Sequence, residues 1–367
     1  MPLCVDLDGT LIRSDMLWES MLRWLRQNPF GAPVLLPWWL QGRARLKARL
    51  AARVVVDPAP LPYQEDFLAY LREQARAGRR LILATASDRA LALPVAQQVG
   101  LFAETLASDG QLNLRGANKG RVLAERFGER GFDYAGNSSV DVPVWARARQ
   151  AIVVNGSARL VRRAAAVTTV GGQFGEAPVK LASLWSVLRP LAWLRNVLVF
   201  APLVLATEAS LAGSARRALL AFAALSLGTS AVAVLKGLVE LDADRADPAR
   251  CQQALASARL PLSWGLATVP LLLFASVAVA LLLSLDFLAV PPLFFAVAVF
   301  WLGLGQRFAL SDILLRASLN LLRLLGGHAA IGTAAPKWWV AIWAVLCLGF
   351  AIMDRTVRRA KRPSPLA

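Results

Sequence analysis

The sequence predicts an α/β domain over residues 1–180, followed by an all-helical membrane bundle over residues 181–367. Hydrophobic residues make up 56% of the 367 residues, which is more than a water-soluble chain of this length usually carries. The charges are also uneven, since residues 1–185 hold 24 Lys and Arg with 16 Asp and Glu, whereas the remainder holds 17 and 8. The apolar surplus therefore belongs to the second half of the chain.

The first apolar segment ends in two closely spaced carboxylates. Residues 5–15 read VDLDGTLIRSD, so Asp6 and Asp8 stand two apart on a predicted strand and point to the same side. One aspartate in such a pair can attack phosphorus while the other exchanges a proton with the leaving oxygen, and Mg²⁺ can offset their charge. The motif is therefore typical of phosphoryl transfer.

Three later segments agree with this interpretation. RLILATASD (80–88) predicts a buried strand that ends at Thr85, whose hydroxyl suits a phosphoryl oxygen, and Lys119 opens a predicted helix. FDYAGNSSVDVPVW (132–145) predicts another strand that ends in acidic and small polar residues. Strands that alternate with helices predict a parallel sheet with its site at the carboxyl ends of the strands.

In this order the residues resemble the haloacid dehalogenase (HAD) superfamily over residues 1–155. The resemblance implies a Rossmann-like α/β fold with a helical cap, here about residues 14–70. It also implies Asp6 as nucleophile, Asp8 as acid and base, and Thr85 and Lys119 as phosphate contacts.

The implied Mg²⁺ ligands are Asp6, Asp8, Asn137 and Asp141. The family's usual Gly-Asp-x-x-x-Asp here reads GNSSVD (136–141). Asn137 therefore offers an oxygen without a charge, and Asp141 is expected to carry most of the metal binding, because hard cations prefer carboxylates.

The predicted cap contains a basic, aromatic segment. LLPWWLQGRARLKARLA (35–51) joins Trp38 and Trp39 to four basic residues. This composition is typical of an amphipathic element at a membrane surface that binds anionic lipids. It is equally compatible with a solvated basic helix whose aromatic side chains pack in the cap.

Runs of apolar residues predict six membrane spans. They lie at 189–206, 218–235, 260–285, 287–306, 312–335 and 338–353. The internal connections then carry ten Lys and Arg and the external ones three, which predicts an inner (cytoplasmic) membrane protein with both termini in the cytoplasm. The net charge of the chain is +17 and basic residues flank these spans, which favours anionic lipid head groups over nucleic acid as the partner.

The fifth predicted span is unusually polar. Asp312, Arg316, Asn320 and Arg323 share one helical face. Charged groups at this depth must pair or line a wet cavity. The stripe therefore predicts either an Asp312–Arg316 ion pair that fixes helix packing, or a cavity wall that faces an anionic substrate.

RPLAWLRN (189–196) places Arg189, Arg195 and Asn196 before the first span and resembles the UbiA prenyltransferase superfamily. The branch it resembles is the one related to decaprenyl-phosphate phosphoribosyltransferase. The resemblance implies a helical bundle in which two acidic motifs hold Mg²⁺ and a diphosphate, with a polyprenyl-type lipid among the helices. In the second motif Gln306 replaces the usual lysine, whereas Arg307, Asp312 and Arg323 match.

The first acidic motif of that family is thinned in this chain. Its four ligand positions fall on Lys236, Gly237, Glu240 and Asp244 within KGLVELDADRADP (236–248). Glu240, Asp244 and Asp247 still share a helical face and can hold one Mg²⁺.

Three functions remain open at this point. The chain is predicted to be a transferase of the UbiA type that acts on a polyprenyl phosphate or diphosphate with Mg²⁺. Alternatively, it is a membrane-tethered HAD phosphatase whose bundle only binds or positions the lipid. The third hypothesis is a lipid-binding scaffold in which both sites are inactive.

Overall fold

A six-stranded parallel sheet organises the first part of the chain. In the computed structural model, which describes residues 1–28, 31–109, 113–175, 180–205, 211–305 and 308–360, the strands run in the order β3-β2-β1-β4-β5-β6. They are β1 (Leu3–Val5), β2 (Leu81–Asp88), β3 (Glu104–Ser108), β4 (Asp133–Gly136), β5 (Gln150–Val154) and β6 (Thr169–Phe174). Each neighbouring pair is parallel, which confirms the predicted α/β class.

Helices cover both faces of this sheet. They are α4 (Glu65–Arg76), α5 (Arg89–Val99), α6 (Ala117–Phe127), α7 (Val142–Trp145) and α8 (Ala158–Ala165). Alternate strand residues enter two separate apolar cores, so Leu3 and Val5 pack on one side of the sheet while Cys4 packs on the other. Because β1 lies between β2 and β4, the residues that follow it reach the middle of the carboxyl edge.

The predicted cap contains three helices, namely α1 (Met16–Gln27), α2 (Ala32–Leu40) and α3 (Arg43–Ala51). Helix α1 begins because the Asp15 side chain accepts a hydrogen bond from the Leu17 amide at 2.8 Å. Trp38 lies 5.3 Å from Trp24 between ring centroids, so it packs within the cap. Leu36 and Leu40 of α2 are 64% and 78% exposed, which is the feature that a membrane-surface element needs.

The rest of the chain is helical. Its elements are α9 (Lys180–Leu188), a 3₁₀ stretch (Pro190–Leu205), α10 (Leu211–Val239), α11 (Leu241–Ala246), α12 (Leu262–Ala280), α13 (Leu285–Leu288), α14 (Val290–Phe300) with a π turn (Trp301–Gly305), α15 (Ala309–Ile331) and α16 (Lys337–Ala360). Among the described residues, four helices are long and apolar enough to cross a membrane, and the bent pair around Arg189 makes up to five. The chain is thus a multi-pass membrane protein, and these helices match five of the six predicted spans.

The remaining predicted span, 312–335, lies mostly within α15. This helix has 23 residues, which is long enough to cross a bilayer, but it is not one of the apolar helices. Asp312, Arg316 and Arg323 lower its apolar character, as the sequence already indicated.

Contacts divide the chain into two compact units. The first consists of Met1–Ser183 with Leu238–Ser263, and the second of Leu184–Gly237 with Trp264–Ala367. The acidic segment of residues 236–248 therefore belongs almost entirely to the same unit as the sheet, although its sequence position lies between two membrane helices.

One buried ion cluster stabilises the base of the sheet. Asp133 is 1% exposed and accepts hydrogen bonds from Arg149 at 2.6 and 2.9 Å and from Arg79. Burial alone would raise the pKa of Asp133, but the hydrogen bonds and charges of both arginines outweigh it and lower the pKa below its usual range.

We expect Asp133→Asn to lower the free energy of unfolding of the sheet-containing unit by about 2 kcal/mol at neutral pH, a figure reduced for the partial exposure of Arg149. Because the folded-state pKa is depressed, this stabilisation is complete above the unfolded pKa of about 4 and is lost as pH falls below it. Pulse proteolysis in urea across pH 3 to 7 measures the difference. Glu125→Ala, at an exposed ion pair, is the control, and an equal loss there would contradict the prediction.

Candidate active site at the carboxyl edge of the sheet

Asp6 follows the central strand and faces a buried lysine. Its Oδ1 accepts hydrogen bonds from the Lys119 ammonium at 2.8 Å and from the Leu7 amide at 2.9 Å. Lys119 extends from the first turn of α6 and is 2% exposed. Burial raises the pKa of Asp6 to about 7, and the charge of Lys119 works in the opposite direction. The pair places a carboxylate and its counter-ion where phosphoryl transfer needs them.

Asp8 is oriented by two hydrogen bonds from different elements. Its Oδ1 accepts from the Met16 amide, the first residue of α1, at 2.8 Å, and its Oδ2 accepts from the Ser87 hydroxyl at 2.6 Å. The backbone at Gly9 has φ +76°, which favours glycine, and a Cβ atom there would lie 2.0 Å from the side-chain Nδ2 of Asn137. The turn therefore brings Asp6, Asp8 and Asn137 to one place.

Thr85, the predicted phosphate contact at the end of β2, lies in the interior of the domain. Thr85 is fully buried, and its hydroxyl accepts a hydrogen bond from the Ser87 amide at 3.0 Å instead of lining the cavity. Ser87 contacts Asp8 in its place. Alternate strand residues point to the same side, so the sequence already indicated that Ser87, two positions beyond Thr85, faces the same way.

Tyr134 was also missed, because it stands inside an apolar strand. The Lys119 ammonium donates to the Tyr134 oxygen at 2.8 Å, and the Tyr134 hydroxyl donates to Asp141 Oδ1 at 3.0 Å. Burial, followed by the charge of Asp141, raises the pKa of Tyr134 well above its usual range. The tyrosine therefore stays protonated and fixes the direction of the lysine.

Asp141 accepts three hydrogen bonds from residues of its own loop. Its Oδ2 accepts from the Asn137 amide, the Ser138 amide and the Ser138 hydroxyl at 2.9–3.1 Å, and the side chain is 3% exposed. These contacts form a capping box at the turn after β4. The geometry supports Asp141 as the residue that shapes this loop more than as the main metal ligand.

The oxygen-bearing side chains of this site fit Mg²⁺ only when a phosphate group supplies further ligands. Within the described ranges, no group of three or more His, Cys, Asp or Glu side chains is arranged to hold a metal ion. Asp6 and the neutral Asn137 remain the best oxygen donors, with Asp8 beside them. Mg²⁺ commonly binds one or two carboxylates and completes its octahedron with water and substrate phosphate. These residues suit an ion that arrives with its substrate.

The candidate site lies in a cavity of about 380 Å³, and Asp6, Asp8, Lys119, Asn137 and Asp141 line it. Among the described residues, its lining includes the charged side chains of Lys47 from the cap and Arg115, together with Ala48, Ala86 and Val140. The basic side chains suit a small phosphorylated group.

In the second unit, the predicted substrate residues form a buried polar network. Arg323 is 5% exposed, and its guanidinium donates to Asn196 Oδ1 at 2.8 Å and to Asn320 Oδ1 at 3.0 Å. Asn196 in turn donates to the Ser226 and Thr229 hydroxyls of α10. The structure thus brings together two residues that the family motifs single out at opposite ends of the bundle sequence.

The other charges of α15 pair with the last helix. Asp312 accepts from Arg316 at 2.8 Å, from Arg355 at 2.6 Å and from the Trp301 indole at 2.7 Å. Arg316 also binds Asp354 at 2.9 Å. Of the two interpretations left open, these contacts favour the ion pair that fixes helix packing.

The remaining predicted residues of the membrane part are Arg189, Arg195, Gln306 and Arg307. Arg195 lies 3.6 Å from Asp354, and Arg189 is exposed at a backbone φ of +50°. Gln306 and Arg307 of the second acidic motif lie outside the described residues.

The three carboxylates of the first acidic motif surround one arginine. Arg250 lies 2.6 Å from Asp247, 2.8 Å from Asp244 and 3.7 Å from Glu240. The hydrogen bond from Arg250 lowers the pKa of Asp247. The sequence predicts that these carboxylates can hold one Mg²⁺, but in the structure they contact Arg250.

The chain is similar to known proteins over two separate parts. The family model for haloacid dehalogenase-like hydrolases matches residues 3–145. Decaprenyl-phosphate phosphoribosyltransferase of Mycobacterium tuberculosis is 29% identical over 174 residues, which are 45% of this chain and 56% of that protein. A UbiA homolog of Archaeoglobus fulgidus, solved with DMAPP and Mg²⁺, is 18% identical at a TM-score of 0.40, over 47% of this chain and 62% of the other.

The chain is therefore a HAD-like domain fused to a UbiA-like membrane part, as predicted. Both similarities indicate that it is an enzyme. It spans little more than half the length of the phosphoribosyltransferases that it matches. The protein y4nM of Sinorhizobium fredii is 32% identical over 360 residues, which are 97% of this chain and 69% of that one. The chain belongs to the family of y4nM.

We expect Asn137→Asp to lower the Mg²⁺ concentration needed for half-maximal binding about tenfold, because it adds the carboxylate that a hard cation prefers. Isothermal titration of the full chain with Mg²⁺ in the presence of inorganic phosphate measures this. Asn113→Asp adds the same charge at an exposed position on the cavity wall and is the matched control. Equal tightening in both variants would show that Asn137 has no special place in the metal site.

Proposed function

We propose that this protein is a Mg²⁺-dependent, membrane-anchored phosphatase that removes a phosphate monoester from the head group of a polyprenyl-type lipid. The observation that carries the proposal is the Asp6–Lys119 pair, set beside a hydrogen-bonded Asp8 at the carboxyl edge of the sheet. The domains proposed for the two tasks are residues 1–180 and 181–367.

The geometry suits a two-step transfer. Asp6 attacks phosphorus, the bond between phosphorus and the ester oxygen breaks, and Asp8 gives a proton to the leaving oxygen. Asp8 then takes a proton from water as the water attacks the aspartyl-phosphate, which releases phosphate and restores Asp6. Lys119 offsets the charge on the phosphoryl oxygens throughout. Mg²⁺, when bound by Asp6 and Asn137, would supply further charge neutralisation at the phosphoryl group.

The cavity at the sheet suits the phosphorylated head group of the proposed substrate, because its volume is about 380 Å³ and Lys47, Arg115 and Lys119 line it. An apolar polyprenyl chain is stabilised by burial at about 25 cal/mol per Å², and the membrane part has apolar helices that suit such a chain. Decaprenyl-phosphate phosphoribosyltransferase, by its name, acts on a polyprenyl phosphate, and its 29% identity supports the lipid class proposed here.

The location follows from the charge pattern. We infer an inner membrane protein with the HAD-like domain and the C-terminus in the cytoplasm, because ten Lys and Arg lie on that side and three on the other. The basic residues of the cap and the exposed apolar residues of α2 suit anionic lipids.

A second candidate is the transfer of a prenyl or phosphoribosyl group in the membrane part. The similarity over 174 residues to the phosphoribosyltransferase favours it. The first acidic motif is evidence against this transfer, because Glu240, Asp244 and Asp247 form ion pairs with Arg250.

We expect Asp6→Asn to reduce Mg²⁺-dependent phosphate release by at least about a thousandfold, because the amide cannot form the phosphoenzyme. The assay uses purified full-length protein with farnesyl phosphate and with a prenyl-linked sugar phosphate. Glu125→Gln, an exposed residue of α6, is the control that should keep full activity.

The same assay separates the two candidates when phosphoribosyl diphosphate and polyprenyl phosphate are added. A lipid-linked sugar product that persists in Asp6→Asn would establish the transferase. If the wild type releases no more phosphate than Asp6→Asn from any of these substrates, the phosphatase proposal is wrong.

A further inference from the structure

Helix α1 meets the acidic segment through charged side chains on one face. Arg245 donates to both oxygens of Glu19, at 2.7 and 3.1 Å, and each of these side chains is 5% exposed. Asp242 binds Arg23 at 3.0 Å and Arg26 at 2.6 Å. Positions 19, 23 and 26 are spaced four and three apart, so they follow one stripe of the helix.

The same helix also holds Asp8. The Met16 amide at its first residue donates to Asp8 Oδ1 at 2.8 Å. Glu19 is three residues further on, which is about 4.5 Å along the axis of a helix. A shift or rotation of α1 at Glu19 therefore moves the amide that orients Asp8.

The buried pair is sensitive to the loss of either partner. Arg245 also donates to the Ala256 carbonyl at 3.2 Å, so both ends of this contact are fixed. Removing one member of a buried, hydrogen-bonded ion pair leaves an uncompensated charge, which the structure relieves by moving toward water. Here such a movement would displace the first turn of α1.

We propose that the segment Glu240–Asp247 is a clamp on helix α1 that positions the Asp8 carboxylate, and that it is not a metal–diphosphate site. Its four carboxylates each lie beside an arginine, namely Arg250 for Glu240, Asp244 and Asp247, and the arginines of α1 for Asp242. Only the kinetic part of this inference rests on the phosphatase proposed above.

The test uses Glu19→Gln, Arg245→Met, and the charge swap Glu19→Arg with Arg245→Glu in the full-length protein. We expect the single variants to lower kcat for p-nitrophenyl phosphate about tenfold with KM changed less than twofold, since Asp8 is displaced while the cavity remains. The swap should recover at least half of the lost rate, because it restores the pair.

Hydrogen exchange gives a second readout that needs no activity. The amides of Met16–Glu19 should exchange about tenfold faster in both single variants and return toward wild-type rates in the swap, while those of β2 stay unchanged. Swapping the exposed pair Glu129 and Arg147 is the control and should alter neither measurement.

Unchanged exchange at Met16–Glu19 in both single variants would overturn the clamp. Faster exchange throughout the sheet as well, without rescue by the swap, would also overturn it, because the pair would then be a general stabiliser. If the wild type proves no more active than Asp6→Asn, the phosphatase proposal fails, and the exchange rates alone then decide on the clamp.

A further result bears on the alternative role of the segment. We expect Mg²⁺ to leave the exchange of α11 unchanged, since its carboxylates are already neutralised by arginines. Protection of α11 by Mg²⁺ alone would restore the metal site and refute the proposal.

Discussion

A charge that leaves water must be paired, and this constraint determines most of the contacts described above. Lys119 is 2% exposed, and it is tolerated there because Asp6 and Tyr134 accept its hydrogen bonds. The same contacts keep Asp6 next to a positive charge in a site whose burial raises its pKa. The stability requirement and the catalytic requirement therefore select the same pair of residues.

The membrane part meets this constraint in a different way. Arg323 and Asp312 would each be costly in an apolar bundle, and each is satisfied by neighbours from another helix or turn. Asp312 is neutralised by Arg316 and Arg355, and these ion pairs join α15 to the last helix. Arg323 donates instead to neutral oxygens of Asn196, Asn320 and Leu319.

The sequence predicted what depends on local pattern. Alternation of strands and helices placed Asp6, Asp8 and Lys119 at one edge, because parallel strands share their carboxyl ends. Partners that are distant in sequence were not predictable, such as Arg355 for Asp312 or Arg245 for Glu19, which is 226 residues away. Nothing in the spacing of single residues encodes such pairs, whereas Ser87 followed from the period of two and was overlooked.

The acidic segment of residues 236–248 keeps several carboxylates, but they form ion pairs with arginines. Two of the ligand positions expected from the resemblance are occupied by Lys236 and Gly237 in this chain, which leaves fewer carboxylates for a hard cation. The remaining carboxylates have arginines as partners, namely Arg250 just beyond the segment and Arg23 and Arg26 on α1. A bound Mg²⁺ would have to displace those arginines from the carboxylates. The loss of two ligands thus favours the ion pairs over a bound metal. The segment instead contacts α1, the helix that orients Asp8.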